Sequence, residues 1–122
     1  MSVQEVAKEF VTAINRHDVD AIYALMAEDH RFIDSMAMVI SGRDDMRKAW
    51  IGYFDIVPDY LITISEVLAS GNTVVLLGIA SGTYTSHGIL KPENHWQTPA
   101  AWRSALARRS WTSAIVSRVS SK

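Results

Sequence analysis

Residues 46–68 read MRKAWIGYFDIVPDYLITISEVL, and the spacing of their apolar side chains changes halfway along. Up to Val57 the apolar residues recur at steps of three and four, which is the spacing of an amphipathic helix. Pro58 cannot supply the next helical N–H and disfavours helical geometry at the residue before it, so the helix ends there. From Asp59 onward the residues alternate between two faces, as in a strand. The stretch therefore predicts a helix followed by sheet, and hence an α+β fold.

Two more helices are predicted nearer the N-terminus. Ser2 and Glu5 have the spacing of a capping box, and residues 3–14 then carry one apolar stripe. Residues 15–17 break this stripe, and Asp18 can cap a second, shorter helix. We expect all three helices to pack on another layer through their apolar faces.

The second half of the chain reads as sheet. Residues 74–77 are apolar on both faces, as in a central strand, and Gly78 and Gly82 interrupt that strand without ending it. Glycines at such positions are typical of bulges or strong curvature, and a curved sheet can wrap around a cavity. A loop at residues 87–94 leads to a strand containing Pro99, which needs an edge or bulge position because it has no N–H. A last strand is predicted at residues 111–119.

Length, charge and cysteine content limit the functional classes. The 122 residues predict one domain spanning residues 1–122, and the net charge of −1 offers no general attraction for nucleic acid or membranes. The absence of cysteine excludes disulfides, thiolate catalysis and Cys-based metal sites, and suits a reducing cytoplasm. No uncharged apolar run approaches the roughly 18 residues that span a bilayer, and the N-terminus has no secretory pattern. We therefore predict a cytoplasmic protein without membrane or nucleic-acid partners.

The best candidate for chemistry lies in the segment His30-Arg31-Phe32-Ile33-Asp34-Ser35-Met36. Read as a strand, it places Asp34 on one face with Phe32 and Met36. A carboxyl group among apolar neighbours tends to have a raised pKa, which allows it to accept and return protons near neutrality. The alternative is that Asp34 has a structural role and is hydrogen-bonded to a nearby helix end or loop. His30 shares the face but lies about 13 Å along the strand, so a direct dyad is not expected.

The order helix, helix, strand, helix and then long antiparallel strands resembles the nuclear transport factor 2-like superfamily, which includes ketosteroid isomerases and SnoaL-like polyketide cyclases. The segments that carry the resemblance are residues 10–18, 24–29, 32–34 and 41–44. The resemblance implies a cone-shaped α+β barrel, in which three N-terminal helices pack on a strongly curved, mostly antiparallel sheet and enclose a cavity. It also implies a homodimer formed through the outer face of the sheet.

The resemblance also bears on the reaction. Asp34 falls where ketosteroid isomerases carry the carboxylate that shuttles a proton. Phe10 stands where they have an oxyanion-binding tyrosine, and residues 99–101 offer no equivalent of their neutral acid. Because loss of one oxyanion donor costs about 3–4 kcal/mol of transition-state stabilisation, true ketosteroid isomerase activity is disfavoured. SnoaL-like cyclases fit better, since they demand little beyond an acid/base group in an apolar pocket.

The first hypothesis is a small cofactor-independent enzyme, an isomerase, cyclase or hydro-lyase that binds a compact hydrophobic carbonyl or polycyclic substrate in an interior cavity. Asp34 is then the acid/base, and Tyr53, His30 and His87 supply hydrogen bonds. The predicted ligand-binding walls are Phe10, Ile14, Phe32, Trp50, Phe54, Trp96 and Trp102. Aromatic residues at helical spacing, such as Trp50 and Tyr53, can equally be core. No metal site is expected, because His87 and His95 have no recognised ligand spacing.

Two further hypotheses remain open. One is a non-catalytic protein of the same fold that only binds a small hydrophobic ligand. The other is a dimerising adaptor that uses the outer face of the sheet for its partners.

Overall fold

The structure, a computed structural model, describes residues 2–26, 28, 31–33, 39–107 and 110–118, with backbone only for residues 3, 31–33, 104–107 and 110–118. The predicted α+β class is confirmed, with three helices preceding the main sheet. In chain order the elements are α1 (Val3–Asn15), α2 (Val19–Leu25), β1 (Arg31–Ile33), β2 (Val39–Ser41), α3 (Arg43–Ile56), β3 (Leu61–Ser70), β4 (Thr73–Thr83), a 3-10 turn (Pro92–Asn94), β5 (His95–Ala107) and β6 (Ser110–Arg118).

The helix starts follow the expected capping chemistry in two of three cases. The Glu5 amide donates to Ser2 Oγ at 3.1 Å, and the Ala21 amide donates to Asp18 Oδ1 at 3.1 Å. Both bonds satisfy amides that have no partner within the helix. Before α3 the cap position is Gly42, whose φ of 88° lies in the left-handed region that glycine tolerates best.

The strands form two antiparallel sheets. The larger has the order β3–β4–β5–β6, and β1 pairs with β2 in a separate hairpin that lies beside β6. Over the described residues these sheets are not joined into a closed barrel. The core lies between the helices and one face of the larger sheet; its members include Val6, Ala7, Phe10, Ile14, Ile22, Met26, Met46, Val57, Tyr60, Ile62, Val74, Leu76, Ala100 and Trp102.

A bulge in β3 changes which of its side chains face the core. Ile64 pairs with Gly78 and Glu66 pairs with Leu77, so Ser65 is an extra residue in β3. Uninterrupted alternation from Tyr60 would place Glu66 on the buried face, but the extra residue switches the faces and leaves Glu66 exposed.

Gly78 lies beside the bulge, because it pairs with Ile64. A Cβ at this position would collide with the carbonyl oxygen of Thr63 in the bulged strand. The predicted irregularity near Gly78 is therefore present, although the extra residue is in the neighbouring strand. Gly82 has a different role: a Cβ there would collide with the Val57 side chain, so glycine lets the end of α3 lie directly on β4.

The free edge of β3 is covered by the turn that follows α1. Asn15 Nδ2 donates to the Ile62 carbonyl at 2.9 Å, and the Ile62 amide donates to Asn15 Oδ1 at 2.8 Å. His17, which has a φ of 55°, places Nε2 at 2.9 Å from the Tyr60 carbonyl. Because a carbonyl oxygen can only accept, Nε2 carries the proton. This polar turn takes the place of a neighbouring strand along residues 60–62.

Pro99 occupies the kind of position that its missing N–H requires. β5 pairs with β4 from His95 to Ala105, whereas its pairing with β6 extends only from Ala100 to Ala107. Over the described residues, Pro99 therefore lies just beyond the end of the ladder with β6, where its missing N–H interrupts no hydrogen bond of that ladder. Within the described segments, no helix is both long enough and apolar enough to cross a bilayer.

Candidate functional site

The inward face of α3 carries a stripe of aromatic side chains. Trp50, Tyr53 and Phe54 lie between Met46, which is 3% exposed, and Val57, which is fully buried. The rings of Trp50 and Phe54 are stacked with centroids 5.3 Å apart, and Trp50 meets Tyr53 edge-on at 6.3 Å. Such stacked and edge-on arrangements are favourable for aromatic pairs. Three predicted site residues are thus brought together by one helix.

The stripe continues onto the sheet through a residue that sequence reasoning did not assign to the site. Tyr60 meets Tyr53 edge-on with centroids 5.0 Å apart, and its ring centroid lies 6.1 Å from that of Trp96. Trp96 in turn lies 5.6 Å from Tyr84. We call Trp50, Tyr53, Phe54, Tyr60, Trp96 and Tyr84 the aromatic row. The sequence pattern does indicate Tyr60, because it is the first inward-facing residue after Pro58.

One polar atom in the aromatic row lacks a partner. Trp50 Nε1 is buried, and over the described part of the chain no acceptor lies within hydrogen-bonding distance. Buried indole N–H groups normally find an acceptor, since leaving one unpaired costs about 1–3 kcal/mol. The inward face of α3 therefore presents an unused donor.

Most of the other predicted wall residues lie in the core. Phe10 and Ile14 are 6% and 4% exposed on α1, and Trp102 is 9% exposed on β5. All three pack in the same cluster of buried residues as Met46 and Val57. Phe32 lies in β1, where only the backbone is described.

The predicted polar site residues are not all brought together. Asp34 and His30 lie outside the described residues, so their catalytic roles stay predictions. Position 34 follows directly on β1, and α3 packs against both β1 and β2. His87 is exposed in the connection between β4 and β5, where its amide donates to Thr85 Oγ1 at 3.2 Å. Tyr53 lies in the aromatic row.

A hydrogen-bonded network that sequence reasoning missed joins the start of β3 to β4 and β5. The carboxylate of Asp59 accepts from the Thr83 amide and from Thr83 Oγ1, both at 2.7 Å. Thr83 Oγ1 lies 3.0 Å from His95 Nδ1. Since the hydroxyl hydrogen is used on the carboxylate, Nδ1 is the donor in the second bond. Thr83 lies opposite His95 in the ladder, and this register was not readable from either strand alone.

The network has a definite electrostatic effect. Partial burial acts to raise the pKa of the Asp59 carboxyl, but the two hydrogen bonds from Thr83 and the nearby His95 outweigh it, so the pKa lies below its ordinary value of 3.8. Asp59 is therefore a structural carboxylate that stays ionised, and the pKa points away from an acid/base role near neutrality.

A second polar cluster fixes α3 against α2. Tyr23 Oη donates to Asp44 Oδ1 at 2.8 Å, and the Arg43 guanidinium lies over the Tyr23 ring at 4.6 Å. Arg47 pairs with Asp20 at 2.6 Å. The hydrogen bond to Asp44 raises the pKa of the Tyr23 hydroxyl. These contacts hold the helix that presents the aromatic row.

Two other features bear on where a ligand could bind. Over the described side chains, no three His, Asp or Glu residues are grouped closely enough to hold a metal ion. A groove of about 500 Å³ lies between α1 and the sheet, open to solvent, and none of its described lining residues belongs to the predicted site; they are Lys8, Val11, Thr12, Ile62, Ile64, Ser65, Glu66, Val67 and Leu76.

The chain is similar to known proteins in both sequence and fold. The family model described as a SnoaL-like domain matches residues 7–112. The chain belongs to the SnoaL-like family. This confirms the resemblance to the nuclear transport factor 2-like superfamily that the sequence segments indicated. No curated protein matches the chain.

Solved structures of the same fold support this membership. A protein assigned as a SnoaL-like polyketide cyclase from Shewanella putrefaciens CN-32 has a TM-score of 0.80 at 18% identity, over 93% of this chain and 87% of that one. An uncharacterised cystatin-fold protein from Novosphingobium aromaticivorans has a TM-score of 0.78 at 20% identity, over 95% and 98%. A protein of ketosteroid isomerase-like fold from Catenulispora acidiphila DSM 44928 has a TM-score of 0.79 at 15% identity, over 96% and 88%. At these identities the likeness concerns the SnoaL-like fold alone.

Proposed function

We propose that this SnoaL-like protein is a cofactor-independent enzyme that moves a proton next to the carbonyl group of a compact hydrophobic substrate. The substrate would occupy a cavity between α3 and the sheet, and Asp34 would be the acid/base. The observation that carries the proposal is the part of the aromatic row that lies on α3, because this helix packs against β1 and β2, the two strands on either side of position 34. Aromatic walls around a few polar groups are typical of small-molecule sites.

The chemistry would run through an enolate. The Asp34 carboxylate removes a proton from the carbon beside the carbonyl group; the electron pair of that C–H bond forms a C=C bond, and the π pair of the C=O bond moves onto the carbonyl oxygen. An isomerase then returns the same proton at another carbon. A cyclase instead lets the enolate carbon attack a second carbonyl of the same molecule, forming a C–C bond, and the protonated Asp34 gives its proton to the new alkoxide. Proteins assigned as polyketide cyclases with this fold are consistent with the second route.

The proposal is tested by an exchange assay that needs no knowledge of the natural substrate. β-Tetralone is a compact aromatic ketone whose α-hydrogens exchange with deuterium oxide, and NMR follows the loss of their signal. The wild-type protein should accelerate this exchange over buffer, whereas Asp34→Asn should not, because an amide cannot accept the proton. Asp45→Asn, an exposed carboxylate in the first turn of α3, is the matched control and should exchange like the wild type.

The same assay distinguishes the enzyme from the non-catalytic alternative. If the wild type binds β-tetralone and related ketones without accelerating exchange, the protein is a binder of hydrophobic ligands. If Asp34→Asn exchanges as fast as the wild type, Asp34 is not the base. Thermal unfolding of each variant checks that the fold is retained.

We also propose that the protein forms a homodimer through the outer face of its larger sheet. Leu61, Leu68 and Ile79 project from this face and are 46%, 50% and 38% exposed. Large apolar side chains grouped on one face mark an interaction surface more often than isolated ones do. A second copy would remove them from water.

Sedimentation equilibrium tests the dimer. Ile79→Lys should shift the wild-type dimer toward monomer at micromolar concentration, because it places charge in the contact. Ile51→Lys, at an apolar position that is 51% exposed on α3, is the control and should leave the dimer intact. A wild-type protein that sediments as a monomer at all concentrations overturns the proposal.

A further inference from the structure

The unpaired indole N–H of Trp50 suggests how the substrate is oriented. Its Nε1 is buried away from solvent and has no acceptor among the residues whose positions are described. A buried unpaired donor is uncommon in folded proteins and calls for an explanation, such as a ligand. We propose that Trp50 is the substrate-binding residue that donates to the carbonyl oxygen, an assignment that rests on the proposed function.

The position of Trp50 fits this role. It lies one turn after Met46, which is 3% exposed, and two turns before Val57, which is fully buried, so its side chain belongs to the inward face of α3. Phe54 stacks on its ring at 5.3 Å and the edge contact with Tyr53 is at 6.3 Å. These neighbours restrict the rotation of the indole, so its donor is held in place before a ligand arrives. A fixed donor stabilises developing charge better than one that must reorganise.

The donor also suits the chemistry of the proposed function. An enolate needs at least one donor as negative charge moves onto oxygen. The indole N–H is a donor only, with no lone pair to repel that oxygen. It would therefore favour ketones over hydrocarbons of the same shape.

The test compares two ligands that differ in one oxygen. β-Tetralone and tetralin have the same bicyclic skeleton, but only the ketone can accept from Trp50. The Trp50 indole resonance in heteronuclear NMR, identified by its loss in Trp50→Phe, should move on saturation with the ketone and stay nearly unchanged with tetralin. Trp50→Phe should weaken ketone binding by about tenfold more than tetralin binding.

A second replacement separates the N–H from the shape of the ring. Benzothienylalanine at position 50 keeps the bicyclic shape but replaces the N–H with sulfur, so it should lose the ketone preference and retain tetralin binding. Trp102→Phe makes a matched change on β5 and should weaken both ligands by similar factors.

The outcomes separate this inference from the proposed function. In one outcome the ketone binds and its exchange is catalysed, but the Trp50 resonance does not move and Trp50→Phe weakens the binding of both ligands equally. Another group then binds the carbonyl oxygen, and only the inference about Trp50 fails. If a bound water already pairs with Trp50 and is retained when the ketone binds, the inference fails in the same way. If neither ligand binds to the wild type, both the inference and the proposed site are wrong.

Discussion

The side-chain amide of Asn15 pairs with both backbone groups of Ile62, donating to its carbonyl at 2.9 Å and accepting from its amide at 2.8 Å. One side chain at the end of α1 thereby closes part of the free edge of β3. An exposed edge is a liability, because its unpaired N–H and C=O groups can pair with another chain. The contact also fixes α1 over the sheet that forms the other side of the core.

Asn15→Ala should therefore destabilise the fold strongly. It leaves the amide and the carbonyl of Ile62 without their partner, and we expect a loss of about 2–3 kcal/mol in the free energy of unfolding. Asn15→Asp should be similarly harmful, because a carboxylate can accept from the amide but repels the carbonyl. Urea unfolding measures both variants.

Thr12→Ala, an exposed position in the same helix, is the control for these two variants and should change stability by less than about 0.5 kcal/mol. Equal stabilities for Asn15→Ala and Thr12→Ala would contradict the role given to this amide.

Two glycine-to-alanine variants should have opposite effects on stability. Gly78→Ala places a methyl group against the Thr63 carbonyl in the bulged strand, so we expect a loss of about 1–3 kcal/mol. Gly52 is exposed in α3, and nothing lies within 4 Å of a Cβ built there. Gly52→Ala should stabilise by about 0.5–1 kcal/mol, since alanine favours helix and restricts the unfolded chain. Thermal unfolding of both variants checks the signs, and a neutral Gly78→Ala would show that the bulge does not need this close approach.

The network around Asp59 predicts a pH-dependent stability. Because the pKa of Asp59 in the folded protein lies below its ordinary value of 3.8, the ionised carboxylate stabilises the fold above that value, and the contribution is lost as the pH falls through the lower folded pKa. Asp59→Asn should cost about 1–2 kcal/mol near neutral pH, since the amide offers only one acceptor oxygen to Thr83. The difference in the free energy of unfolding between the two proteins should shrink as the pH falls below 3.8.

Urea unfolding over this pH range measures the difference. Asp55→Asn, at an exposed position near the end of α3, provides the control for removing a charge. A difference between wild type and Asp59→Asn that stays constant with pH would mean that the carboxylate charge contributes nothing.

The sequence predicted the local features of this fold better than the paired ones. Ser2 and Asp18 cap their helices as expected, and α3 ends at Ile56, one residue short of the boundary set by Pro58, because these signals depend on neighbouring residues only. The bulge at Ser65 was not predictable from β3 alone, since it lies beside Gly78 of the next strand, which approaches the Thr63 backbone too closely for a side chain.

In the candidate site too, the features that depend on nearby residues were predicted and those that depend on strand pairing were not. The stripe of Trp50, Tyr53 and Phe54 follows from helical spacing, and its ring contacts are those that the spacing suggests. The link through Tyr60 and the network of Thr83 with His95 depend on register and on how α3 crosses the sheet. Substrate identity depends on the same geometry, which explains why the sequence favoured a class of chemistry and no particular molecule.

The most direct measurement of the central claim is a crystal structure of the protein with β-naphthol, a stable phenol that mimics the enolate of β-tetralone. Enzymes bind mimics of the reaction intermediate more tightly than substrates, so this ligand should occupy the site if any does. The account predicts the phenol bound against the aromatic row, with its oxygen within hydrogen-bonding distance of Trp50 Nε1 and the Asp34 carboxylate beside the ring carbon next to that oxygen. A space between α3 and the sheet that is filled by protein side chains, or an Asp34 carboxylate turned into solvent, would contradict it.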